Sequence, residues 1–255
     1  MKKITLLALV PVLALTSCSK EMSQAEADKR IRKIEAAWAN KEITEFDLSF
    51  DYHSVTGKGK DKMVVDATYR YKVDYDTNST YYYQKGAISQ KENTNDYIEL
   101  VSVPDEEYEQ IAYLRYDIEG EKGEASYTKK GCGDDFYPSP TFAQIMMYVG
   151  ILTVTSVWSE LTSPSNYSYQ NESKYYSFGL TDLKIVNSNK YPKEDTDSET
   201  ILKSKQVVEY YDYSPRNYSY SNTSSYGNKS HMEMECKYSG ISVKLPSDWK
   251  KYLVH

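Results

Sequence analysis

Between Met63 and Tyr75 every second residue is apolar or aromatic: Met63, Val65, Ala67, Tyr69, Tyr71, Val73 and Tyr75. A β-strand turns successive side chains to opposite faces, so a period of two predicts a long strand with one buried and one wet face. Phe46, Leu48, Phe50 and Tyr52 repeat the pattern, alternating with Asp47, Ser49 and Asp51. Gly57-Lys58-Gly59-Lys60 between the two runs reads as a turn. Segments 80–85, 97–103, 110–119 and 124–130 continue in the same style, bounded by Gly, Asn, Asp or Pro. Parallel pairing would need helical crossovers, and none separates these segments, so an antiparallel meander is expected. The chain holds 27 Tyr against 5 Phe and 3 Trp. Tyrosine suits such a sheet because its ring packs while its hydroxyl stays wet.

Two helical segments are expected to cover this sheet. Ser23 followed by Glu26 is a capping-box start, and Ala27, Ile31, Ile34 and Trp38 then share one face. Glu26 and Asp28 come early and Lys29, Arg30, Arg32 and Lys33 later, which suits the helix dipole. The narrow apolar stripe favours packing Trp38 on a sheet over lying on a membrane. The second segment, 141–161, follows Pro138 and Pro140 and ends before Pro164. It carries Phe142, Met146, Val149 and Trp158, and is the most apolar stretch beyond the N-terminus. A membrane span needs about 20 predominantly apolar residues. Gln144, Thr153, Thr155, Ser156 and Ser159 interrupt this one. A buried helix on the concave side of a curved sheet is the favoured reading, with a pair of strands broken near Gly150 as the alternative. Further strands are expected at 175–180, 183–187, 201–213, 217–220, 232–238 and 241–245, then a short turn at Asp248-Trp249. Neither a linker nor a repeat interrupts 23–255, which reads as one α+β domain.

The N-terminus places the chain in a cell. Lys2 and Lys3 precede an apolar run too short to span a bilayer, which ends Leu15-Thr16-Ser17-Cys18. These residues resemble the lipobox of bacterial lipoproteins. The resemblance implies a signal peptide at 1–17, a diacylglyceryl thioether on Cys18, commonly a third, palmitate-like acyl chain on its amine, and a tether at 18–22. An ordinary secretory signal favours an A-x-A-like end instead. Two or three acyl chains anchor stably where one does not. The implied location is the cell membrane or outer membrane, with the domain outside the cytoplasm. Loss of Lys2 and Lys3 takes the net charge from −6 to −8, a poor balance for nucleic acid. With Cys18 acylated, Cys132 and Cys236 remain, either as a disulfide or as two free thiols.

The order of helix, meander, apolar helix and further antiparallel strands resembles the carrier fold of LolA, LolB and LppX. Those domains are open half-barrels whose concave apolar face is covered by helices. The closing Ile241-Ser242-Val243-Lys244-Leu245-Pro246 looks like their final strand. The resemblance implies a pocket for a lipid or other hydrophobic ligand, with Trp38, Phe142, Met146, Val149 and Trp158 as its candidate lining. No arginine here maps onto the carriers' cavity arginine.

Catalytic patterns are absent from the chain. His53, His231 and His255 stand alone, without zincin spacing, and neither nucleophile-elbow nor C-x-x-C motifs occur. Asp195-Thr196-Asp197-Ser198-Glu199 lacks the glycine and the bidentate Glu of a calcium loop. Asp105-Glu106-Glu107 reads as a solvated loop. No metal or cofactor is expected. The expectation is a non-enzymatic, membrane-anchored envelope lipoprotein that binds a hydrophobic ligand. The alternative is a surface adhesion lipoprotein that contacts glycan or protein through exposed tyrosines such as Tyr81, Tyr82 and Tyr83.

Overall fold

A computed structural model of the chain describes residues 20–57, 59–86, 95–132, 158–168, 172–191 and 199–254. Among these residues twelve strands form one antiparallel, unclosed sheet. They are β1 (Lys20–Glu21), β2 (Glu45–Thr56), β3 (Met63–Asp74), β4 (Ser79–Lys85), β5 (Tyr97–Asp105), β6 (Glu109–Ile118), β7 (Glu121–Thr128), β8 (Ser173–Ser177), β9 (Leu183–Lys190), β10 (Ile201–Tyr211), β11 (Ser214–Ser224) and β12 (Lys229–Lys237). Their spatial order is β1-β8-β9-β10-β11-β12-β2-β3-β4-β5-β6-β7. The molecule is thus two meanders, β2 to β7 and β8 to β12, fused where β12 pairs with β2 from Lys229↔Val55 to Lys237↔Asp47.

The helix α1 (Gln24–Ala39) opens on the expected capping box: Ser23 and Glu26 each bond the other's backbone N–H. Its place follows from the strands it joins. β1 lies at the β8 edge and β2 in the middle of the sheet, six strand spacings or roughly 29 Å apart. Sixteen helical residues reach about 24 Å, so α1 crosses the second meander. It buries Ala27, Ile31 and Ile34 against a cluster that includes Leu183, Ile185, Val208, Tyr210, Tyr218, Phe46 and Leu48. Burying each large apolar side chain is worth about 1.5–3 kcal/mol.

The opposite face of the first meander has its own cover. Val101, Ile111 and Tyr113 pack under Trp249, Val243, Leu245, Tyr252 and Leu253 from the C-terminal segment. The expected turn there is a 3-10 helix, Trp249–Tyr252.

Three expectations change. Ile241, Val243 and Leu245 do alternate, but this segment joins no strand; its apolar side is satisfied by packing on the sheet face rather than along an edge. It is therefore not the closing strand that the carrier resemblance implied. Lys20 and Glu21 are not free tether but pair with Ser177 and Tyr176 at the sheet edge. The strand expected at 175–180 ends at Ser177, before a bend. Gly57 forms the expected turn with φ of +80°, where an added Cβ would strike the Asp61 carbonyl oxygen. Of segment 141–161, only 158–161 fall within the described residues, and they are helical. Cys18, the signal segment, Phe142, Met146 and Val149 lie outside them.

Candidate functional site

Two of the expected pocket residues, Trp38 and Trp158, meet at a third that the sequence reading did not single out. Tyr238 follows Cys236 by two positions and so shares its face. Trp158 Nε1 donates to the Tyr238 hydroxyl at 2.6 Å, and that hydroxyl donates to the Pro215 carbonyl at 2.8 Å. Trp38 meets the same ring edge-on at 5.3 Å between centroids. Phe46 lies 6.0 Å away. Lys41 Nζ sits 4.8 Å from the Tyr238 centroid and the Arg216 guanidinium 5.1 Å from it, both within cation–π range. Trp158 is completely buried, so it fills this corner.

The electrostatics here follow from exclusion of water. Burial drives the Tyr238 phenol far above its ordinary value, with Cys236 adding to the shift. Burial likewise pushes the Cys236 thiol up to about 12. Lys41 is lowered, first by partial burial and then by Arg216. Cys236 is a buried free thiol; the side chain of Cys132, its expected partner in a bridge, lies outside the described residues. A buried thiol with a raised pKa is unreactive as a nucleophile.

Beyond the cluster under α1, the same sheet face continues across the first meander as a half-buried row. Register places Phe50 opposite Tyr69, Tyr69 opposite Gln84, Gln84 opposite Ile98, and Ile98 opposite Tyr116. Phe50 and Tyr69 stack at 5.1 Å with 15° between their planes. In the neighbouring row Tyr71 faces Tyr82, Tyr82 faces Leu100 and Leu100 faces Leu114. Tyr82 donates to Gln84 Oε1 at 2.6 Å. Burial raises the phenols of Tyr69 and Tyr82. Phe50, Tyr69, Tyr82, Ile98, Leu114 and Tyr116 each retain partial exposure. The alternation at 46–52 and 63–75 marks these side chains as one face; which of them stand in one row depends on hairpin register.

His231 stands directly opposite His53 across β12 and β2. His53 Nδ1 bonds Asp66 at 2.6 Å and His231 Nε2 bonds Glu233 at 3.0 Å. Both rings are about half exposed, and among the described residues neither bonds a hydroxyl or thiol that it could activate. No cluster of three or more metal-ligating side chains occurs among the described residues. Asp105 Oδ1 accepts from the backbone of Glu107 and Tyr108, a turn-forming role. Of the acidic run 195–199 only Glu199 is described, and it accepts from Asn228 at 2.8 Å. Tyr81, Tyr82 and Tyr83 alternate between the two faces, and Tyr81 donates to Glu99 at 3.1 Å, so the three rings do not make one platform. No helix among the described residues is long and apolar enough to cross a membrane.

No family model matches the chain, and no curated protein does. Among solved structures, a crystal structure of a DUF1329 family protein from Desulfovibrio piger is similar at 10% identity, over 87% of this chain and 96% of that one, with a TM-score of 0.23. At that score the likeness carries no argument about function.

Proposed function

We propose that this chain is a lipid-anchored envelope protein, non-enzymatic, whose helix-side sheet face bends into an open half-barrel and binds a lipid or other hydrophobic ligand. The observation that supports it is the row Phe50, Tyr69, Ile98 and Tyr116, which extends the dry core onto a half-buried surface with few charges. Gln84 and the tyrosine hydroxyls supply the few oriented polar groups typical of such sites. The lipobox at Cys18 stands two residues from β1, so the anchor would hold the β8 edge of the sheet close to its membrane.

Two measurements test this. Native mass spectrometry of the mildly extracted protein should show a co-purifying lipid that Phe50→Ser with Tyr69→Ser removes. A protein free of adduct that also ignores added fatty acid would sink the ligand assignment. Metabolic labelling with palmitate should mark the wild type and not Cys18→Ala; equal labelling of both would remove the anchor.

A further inference from the structure

We infer that the end of the sheet opposite β1 is a docking tip for an anionic phospholipid surface. Five strands meet there. Lys190 on β9 stands opposite Lys203 on β10, Lys203 opposite Thr223, Thr223 opposite Lys229, and Lys229 opposite Val55 on β2. The adjacent row on the same face runs through Lys205, Ser221, His231 and His53. These rows line a cleft of about 510 Å³ to which no carboxylate of the described residues contributes.

Like charges directly opposite each other destabilise a sheet. Lys190 and Lys203 are such a pair, and none of Lys190, Lys203, Lys205 and Lys229 forms an ion pair among the described residues. Of the described acids nearby, Asp66 bonds His53, Glu233 bonds His231 and Glu199 bonds Asn228; Glu194, Asp195 and Asp197, between β9 and β10, lie outside the described residues. Asp61 is exposed beside Lys60 and Lys62. Among the described residues, four lysines without an ion pair therefore stand together at this end.

The second observation distinguishes a membrane from a soluble polyanion. Large apolar side chains stand out of the fold at this same end: Tyr191 is 50% exposed, Tyr226 46%, Ile201 44% and Met63 41%. Tyr191 follows Lys190, Ile201 starts β10, Tyr226 lies in the β11–β12 turn, and Met63 starts β3. Protruding aromatic and aliphatic tips beside lysines suit the headgroup boundary of a bilayer, where the rings insert and the ammonium groups meet phosphate. A phosphate polymer in water gains nothing from the apolar tips. The tip lies roughly 20 Å along β9 from the β1 contact.

The test uses the chain from residue 18 onward carrying Cys18→Ser, so that neither the apolar segment before it nor an acyl chain contributes. Flotation is measured with vesicles of phosphatidylglycerol and phosphatidylcholine and with vesicles of phosphatidylcholine alone. The expected result is flotation with the anionic vesicles only, lost at high salt. Lys203→Glu with Lys205→Glu and Lys229→Glu should weaken binding more than roughly 100-fold, since each lysine near such a surface is worth roughly fivefold. Ile201→Ser with Tyr191→Ser should weaken it with the lysines intact. All five positions are exposed, and unchanged circular dichroism controls for folding. Absence of flotation, equal flotation on both vesicle types, or retention in the triple variant overturns the inference. Binding of tripolyphosphate without flotation overturns it too, and assigns the cleft to soluble polyanions.

Discussion

The indole N–H of Trp158 donates to the hydroxyl of Tyr238, 80 positions away in the chain, at 2.6 Å. That hydroxyl donates in turn to the Pro215 carbonyl, so one phenol ties the helical turn at 158–161 to the start of β11 and the end of β12. Tyr238→Phe removes an acceptor and a donor together while keeping the ring against Trp38. It should cost about 1–3 kcal/mol, because it leaves a buried indole N–H unpaired. Trp158→Ala should cost about 3–5 kcal/mol through the cavity it leaves. Urea unfolding of both single variants and the double variant reads the coupling, which should make the double variant less damaging than the sum.

Stability should fall at alkaline pH, and Cys236 should account for part of it. Burial holds its thiol protonated up to about 12 in the folded state, against an ordinary value of 9.0. The unfolded thiol ionises first, so the contribution is complete below about pH 9 and is lost as pH rises from 9 to 12. The raised phenols of Tyr71, Tyr82 and Tyr167 act in the same direction. Comparing wild type with Cys236→Ala by urea unfolding at pH 8 and pH 10.5 isolates the thiol. The wild type should lose more stability across that interval, and equal losses would refute the assignment. In the folded protein a thiol reagent at pH 8 should label Cys236 only after denaturant is added.

Gly123 is needed for Tyr116 to lie across β7. A Cβ built on Gly123 would stand 2.5 Å from Cε1 and Cζ of that ring. Gly123→Ala should therefore displace Tyr116 and cost about 1–3 kcal/mol as overpacking. Adding Tyr116→Ala should recover part of the loss in thermal melts. If Gly123→Ala melts with the wild type, the ring has room that its position here does not show.

The C-terminal segment is structural cover for the first meander. Trp249 packs over Val101, Ile111 and Tyr113, and its carbonyl accepts from the buried Ser126 hydroxyl at 2.8 Å. Trp249→Ala should cost about 3–5 kcal/mol. Truncation after Tyr238 should expose the outer face of β5 and β6 and produce strong binding of a hydrophobic dye.

Strand identity was legible because a period of two is a local property: residues 46–52 and 63–75 announce their buried face wherever their partners lie. The start of α1 was legible for the same reason, since Ser23 and Glu26 satisfy each other within one turn. The segment 241–245 shows the limit. Its alternation marks an apolar side, and that side could be met by a sheet edge or a sheet face. Packing against Tyr113 and Trp249 took the face.

What the sequence determined by itself was therefore local: where most of the strands run, which side of each is apolar, and where α1 begins. The tertiary structure decided the partners. It fused the two meanders by pairing β12 with β2, which set His231 opposite His53, and the registers within β9 to β12 lined up Lys190, Lys203 and Lys229 in one row. It also brought Trp38 and Trp158 to Tyr238. Alternation specifies a face but not a neighbour; neighbours follow from hairpin register and from how α1 must cross the sheet to connect β1 with β2.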